Sequence, residues 1–221
     1  MRMLPVLLLL SACEEAASLP EEALPPVNPN LAVDRTYVLD LQGATFTQPP
    51  GLGPMIPALT GGSNSARAWT VLGVRQGQTL VRFGTVDAGQ QDLCGLTTDV
   101  ALRSGPGGQF GGRGAGPLFG HLDSADHAYF DYQLSGRLGA GAQSIDDIRF
   151  QGAMDASRWT AAIGSPVCGL FLVFGVSCGV CPHGGAPECL DMAFEDAVAT
   201  WDPNLPPLRR VTLQTRSPGC P

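Results

Sequence analysis

Glycine and proline punctuate this chain at almost every join between short apolar runs, 29 of the one and 19 of the other in 221 residues. Glycine weakens a helix through backbone entropy and proline through its missing N–H, while both serve turns. Only 15% of the residues are charged, too few to clothe long solvent-facing helices, and 44% are hydrophobic, enough for one core. The runs between the joins carry strand patterns. Thr36–Leu41 alternates, with Tyr37, Leu39 and Leu41 facing one way and Thr36, Val38 and Asp40 the other. Arg67–Val74 and Gln78–Val86 flank Arg75-Gln76-Gly77 as the arms of a hairpin do. Ala128–Leu138 and Ser144–Met154 predict adjacent antiparallel strands around Gly139-Ala140-Gly141; Leu190–Trp201 predicts another and Arg209–Thr215 a last one. Cys168–Val176 is a continuous apolar run that suits a short buried helix or a core strand. Gly105–Gly116, with seven glycines in twelve residues, predicts a mobile surface loop. The pattern predicts an all-β fold: a single antiparallel β domain, a barrel-like (up-and-down, lipocalin-like) meander with one short helix. A β-sandwich is the alternative.

The amino terminus reads as an address. Arg2 precedes the apolar run Leu4–Leu10, which ends in Ser11-Ala12-Cys13 and is followed by Glu14 and Glu15. Small residues before a cysteine suit a lipoprotein signal peptidase, and the Cys13 thiol would take a diacylglyceryl group and a palmitate-type acyl chain. Seven apolar residues are the lower limit for a signal core, which leaves room for a start upstream of Met1, and are far short of the roughly 20 needed to span a bilayer. The predicted division is a signal peptide over 1–12, lipidated Cys13 with an acidic, proline-rich tether over 13–34, and the β domain over 35–221. Removing 1–12 takes away Arg2 and no acid, so the net charge of −7 becomes −8.

Cys94, Cys168, Cys178, Cys181, Cys189 and Cys220 remain, an even number in a chain read as exported, so three disulfides are expected. Cys181 and Cys189 bound a turn-rich loop, Cys168 with Cys178 would pin the apolar run, and Cys94 is left for Cys220. Two other chemistries use the same residues: Cys178, Cys181, His183 and Cys189 as a zinc site, and Cys178–Cys181 as a redox pair. Thiolates survive poorly in an oxidising compartment, and Pro182 with Gly184-Gly185 denies the redox pair its helix.

All 13 basic residues are arginine, which excludes lysine Schiff bases and the phosphate-binding lysine of P-loops. Thirteen bases against 20 acids are the wrong balance for a nucleic-acid backbone. His121-Leu-Asp-Ser-Ala-Asp-His127 is the densest group of metal-ligand types, with Asp123 and Asp126 between the histidines, although capping aspartates and solvated histidines explain such a loop better than a metal site does. Gly61-Gly62-Ser63-Asn64-Ser65 lacks the last glycine of a nucleophile elbow. No catalytic residue and no cofactor are assigned on these grounds.

Tyr37-Val-Leu-Asp-Leu41 with Ala44-Thr-Phe46, Pro50-Gly-Leu-Gly53, Ala88-Gly-Gln-Gln-Asp-Leu-Cys94, Ser144-Ile-Asp-Asp147, and Phe174-Gly-Val-Ser-Cys178 with Cys181-Pro182, Gly184 and Cys189-Leu190 together resemble predicted outer-membrane lipoproteins of myxobacteria and related high-GC bacteria. The resemblance spans most of 35–195. His183 stands where such proteins tend to carry Asp. The resemblance implies an exported, disulfide-stabilised β domain and supplies no catalytic residue. The expected protein is therefore a lipid-anchored, non-catalytic binding or structural module of the bacterial envelope, with the membrane, an envelope protein or a small apolar ligand as partner and no nucleic acid. The alternative is a metal-dependent or hydrolytic envelope enzyme built on the His121–His127 loop.

Overall fold

A computed structural model describes residues 27–52, 65–114, 116–122, 125–157, 160, 166–172, 176–182 and 188–220. The strands are β1 (Thr36–Asp40), β2 (Thr45–Gln48), β3 (Ala66–Arg75), β4 (Gln78–Asp87), β5 (Gln90–Gln91), β6 (Thr98–Ser104), β7 (Gln109–Gly114), β8 (Leu118–Leu122), β9 (Ala125–Leu138), β10 (Ser144–Asp155) and β11 (Cys189–Trp201), with a short helix α1 (Val167–Leu172) before β11. Eight of them follow one another antiparallel in the order β1-β3-β4-β6-β7-β9-β10-β11, and β11 returns to pair with β1. The sheet is thus a closed up-and-down barrel rather than a sandwich. The three short strands extend its staves: β1 and β2 both lie along β11, β5 and β6 along β4, and β7 and β8 along β9. Among the described residues no helix is long and apolar enough to cross a membrane.

Alternation fills the interior. Tyr37 and Leu39 from β1, Trp69 and Val71 from β3, Phe83 from β4, Leu134 from β9, Phe150 from β10 and Phe194 from β11 belong to one buried cluster. Alternation is broken once in each of the three longest staves, at Asp131, Asp147 and Asp196, which adopt φ of 47°, 52° and 58°. Aspartate tolerates this left-handed region better than most residues. The register of β10 slips beside Asp147, so the buried positions jump from Ile145 to Ile148; in β11 they jump from Phe194 to Ala197. Such bulges bend and twist long strands, as barrel closure requires. The β3–β4 hairpin turns on Gln76 and Gly77 at φ 48° and 73°, the two positive angles of the turn that matches strand twist.

One end of the barrel is sealed. Arg35 donates to the carbonyls of Gly141 and Ala142 at 2.8 and 2.7 Å and lies over the Trp201 ring at 4.2 Å. The Tyr37 hydroxyl donates to Ala142 at 2.9 Å. Residues Val27–Asp34, assigned by the sequence to a solvated tether, pack here instead: a 3-10 turn over Pro29–Ala32 buries Ala32 completely, and Val27 packs against the core.

Two further expectations give way. Gly105–Gly116 is not a loop but contains β7, a central stave. Phe110 supplies its inward side chain, and a Cβ on Gly112 would lie 3.1 Å from the Leu102 side chain, so glycine here permits close strand approach. Arg209–Thr215 is not a strand. It belongs to a carboxy-terminal strap that crosses the outside of the barrel, where Leu205 and Leu208 bury Ala68 and Val86 in a second small core. The strap bonds largely through side chains: Gln91 exchanges bonds with Arg209 at 2.8 and 2.7 Å, and Thr97 receives the Val211 N–H at 2.9 Å. Prolines at 206 and 207 and sparse alternation suit a strap better than a ladder.

Disulfides join Cys94 to Cys220, Cys168 to Cys178 and Cys181 to Cys189. The first ties the strap's end to the barrel, the second staples α1, and the third anchors the start of β11. Sulfur committed in this way excludes both the zinc and the Cys178–Cys181 redox chemistry.

Candidate functional site

The end of the barrel opposite Arg35 holds a cavity of about 50 Å3, walled by Leu39, Trp69, Phe83, Leu134, Phe150 and Phe194 and edged by Arg67 and Tyr129. The rings form two groups. Trp69 meets Phe83 edge-on at 5.0 Å; Tyr129 meets Phe150 edge-on at 5.1 Å, and Phe150 stacks on Phe194 at 5.4 Å. About three or four water-sized groups fit the space.

Among the described residues Arg67 is the one cation of this cavity's wall. It occupies an inward position of β3, two residues before Trp69, so its guanidinium lies inside the barrel end. Nη1 donates to Thr85 Oγ1 at 2.8 Å and to the His121 carbonyl at 3.3 Å, and Nη2 donates to His127 Nε2. Because guanidinium has no acceptor, His127 Nε2 accepts, which places that ring's proton on Nδ1. Burial pulls the Arg67 pKa below its usual value, while Tyr129 and the charge of Asp92 favour the protonated form. Arginine nevertheless stays charged. None of its hydrogen-bond partners in β4, β8 and β9 is a carboxylate, so a positive charge is held against aromatic walls by neutral acceptors.

Glycine at 120 makes this possible. A Cβ there would run into the Arg67 guanidinium, so a side chain at 120 would push the guanidinium from this position. His121, next along β8, is buried: its N–H donates to Thr85 Oγ1 at 3.2 Å, and its Nε2 lies 3.7 Å from Asp92 Oδ2, an ion pair when the ring is protonated. The Thr85 hydroxyl donates to the His121 carbonyl at 3.4 Å. His127 Nε2 and the Thr85 hydroxyl are both occupied, so they are not placed as a base and nucleophile.

The predicted His121–His127 loop is thus the hairpin of β8 and β9, with both histidines buried at 6% and 1% exposure rather than solvated. Asp123 lies outside the described residues, as do the Asp126 side chain, His183, Cys13 and Gly61–Asn64. Among the described residues no group of three or more His, Cys, Asp or Glu side chains is arranged to hold a metal. Arg67, Trp69 and Tyr129 were not singled out by the sequence. Their signal was present: in Arg67-Ala68-Trp69-Thr70-Val71, alternation puts an arginine on the face that carries Trp69 and Val71. Comparisons of the chain with protein-family models, curated proteins and solved structures found no match.

Proposed function

We propose that this protein is an exported, lipid-anchored binding module of the bacterial cell envelope, and that its barrel takes a small ligand with an apolar body and an anionic end. The observation that carries the ligand class is Arg67, a cation set in an aromatic-walled cavity with only neutral hydrogen-bond partners. A ligand carboxylate would meet the guanidinium charge while its chain lay along Trp69, Phe83 and Phe150. The cavity takes a headgroup and the first carbons, and a longer chain would extend through the mouth. Export is supported by the Leu4–Cys13 signal pattern, by three disulfides of the kind oxidising compartments maintain, and by the resemblance to envelope lipoproteins.

The test is tryptophan emission during titration with n-alkanoates from butyrate to octanoate, each paired with its alcohol. Alkanoates should bind at least tenfold more tightly than the matching alcohols, and Arg67→Met should remove the difference. Equal affinity for acid and alcohol, or no binding of either, would refute the ligand class.

A further inference from the structure

We propose that the outer wall of the barrel over β6, β7, β9 and β10 carries a second site, separate from the interior cavity, that binds an acidic carbohydrate: a short run of sugars bearing carboxylates. The chain has net charge −7, yet three of its arginines, Arg103, Arg137 and Arg149, surround a depression of about 740 Å3 on this wall. The sheet register assembles them. Arg103 pairs with Gly111, Gly111 with Ser135, and Ser135 with Arg149, one straight row across four strands. Three inter-strand steps put the end residues about 14 Å apart at the backbone. Arg137 lies two residues beyond Ser135 on β9, about 7 Å along the strand, opposite Gln109. Glycine and serine fill the middle of the row, so the wall sinks between the arginines.

Two of these three charges are not used by the fold, and Asp147 is the one carboxylate among the described lining residues. Arg137 holds Asp147 at 3.0 Å, but Arg103 and Arg149 are exposed and form no ion pair or hydrogen bond with another described residue. Arg82 on β4 shows the contrast: Asp99 grips it through both carboxylate oxygens at 2.6 and 2.8 Å. Open guanidiniums set several ångströms apart suit an anion that repeats along a chain, because each can take a carboxylate in a two-pronged contact.

The neighbouring surface selects the polymer. Ser135 and Gln109 offer hydroxyl and amide partners of the kind sugars use. Phe110 at 6% exposure leaves no ring on which a nucleobase can stack, and the chain's acidity opposes a nucleic-acid backbone. Along the arginine row a peptide would find no free strand edge, since β6 and β7 are joined at Arg103 and Gly111 and β9 and β10 are each hydrogen-bonded on both sides.

The experiment is calorimetry on the full-length chain at low salt, with a trimer of α-1,4-linked galacturonate and the neutral galactose trimer as probes. The acidic trimer should bind and the neutral one should not. Arg103→Gln with Arg149→Gln should weaken binding at least tenfold, whereas Arg75→Gln with Arg210→Gln, which removes the same charge elsewhere, should change it less than twofold. Arg67→Met should leave it unchanged, so failure of the interior site does not touch this one. Absence of binding, equal losses in the two double variants, or stronger binding of a peptide with the sequence of residues 14–26 would overturn the proposal.

Discussion

Thr70 Oγ1 lies 2.7 Å from Thr36 Oγ1 on the outside of the barrel, buried beneath the carboxy-terminal strap. The proton order follows from the outer partners. The Leu208 N–H donates to Thr70 at 3.0 Å and the Thr36 hydroxyl donates to the Pro206 carbonyl at 2.9 Å, so Thr70 donates to Thr36. This relay joins β1, β3 and the strap. Replacing one member strands the others in a dry site, at a cost of about 1–3 kcal/mol. Thr70→Val should lower the urea midpoint accordingly, while Thr212→Ala, in a half-exposed turn, should cost less than about 0.5 kcal/mol.

The three disulfides should differ in worth. Cys94–Cys220 closes a separation of 126 residues and Cys181–Cys189 one of 8. On the loop-entropy model these correspond to at most about 5 and about 2.5 kcal/mol. Cys94→Ser with Cys220→Ser should therefore destabilise the protein more than Cys181→Ser with Cys189→Ser in denaturant unfolding. The oxidised chain should also be lighter than the reduced one by about 6 Da, two hydrogens per bridge.

Burial raises the Tyr37 phenol to about 12, against the opposing pull of nearby Arg35, and burial moves Tyr132 in the same direction. Above pH 10 the unfolded chain loses these protons while the native state keeps them, so stability present below pH 10 declines as pH rises toward 12. Tyr37 accounts for up to about 2 kcal/mol of that decline. Tyr37→Phe should be less stable at neutral pH, having lost the bond to Ala142, and should show a shallower fall between pH 10 and 12.

Gly120 offers a way to disturb the interior site without touching its partners. Gly120→Ala puts a methyl where the Arg67 guanidinium lies, and the end of an arginine can swing aside. Alkanoate affinity should drop at least fivefold while the thermal midpoint changes by only a few degrees. A large loss of stability with unchanged affinity would place Arg67 outside the ligand's path.

The barrel was legible because its long staves alternate and its joins carry glycine or proline. Tyr37, Leu39, Trp69 and Phe83 face inward as their spacing indicates. β7 was hidden because its glycines, which remove side chains to let strands approach, look the same in sequence as glycines that loosen a loop. The slips at Asp147 and Asp196 were hidden because a bulge leaves composition unchanged and moves only the phase. For the site, the histidines were visible as residues but not their burial, since β8 and β9 pair across residues that read as a loop. Arg67 stood in plain view at an inward position of β3, where its significance depended on which strands close around it.

Entry of ligand at the barrel end beside Trp69 and Arg67 would be reported by the indole N–H signals of the three tryptophans, Trp69, Trp159 and Trp201, in a two-dimensional nitrogen–proton NMR spectrum during octanoate addition. Trp69, which walls the cavity, should shift saturably, Trp201 at the sealed end beneath Arg35 should not, and Arg67→Met should abolish the Trp69 response. A still Trp69 signal, or a shift confined to Trp201, would contradict the account.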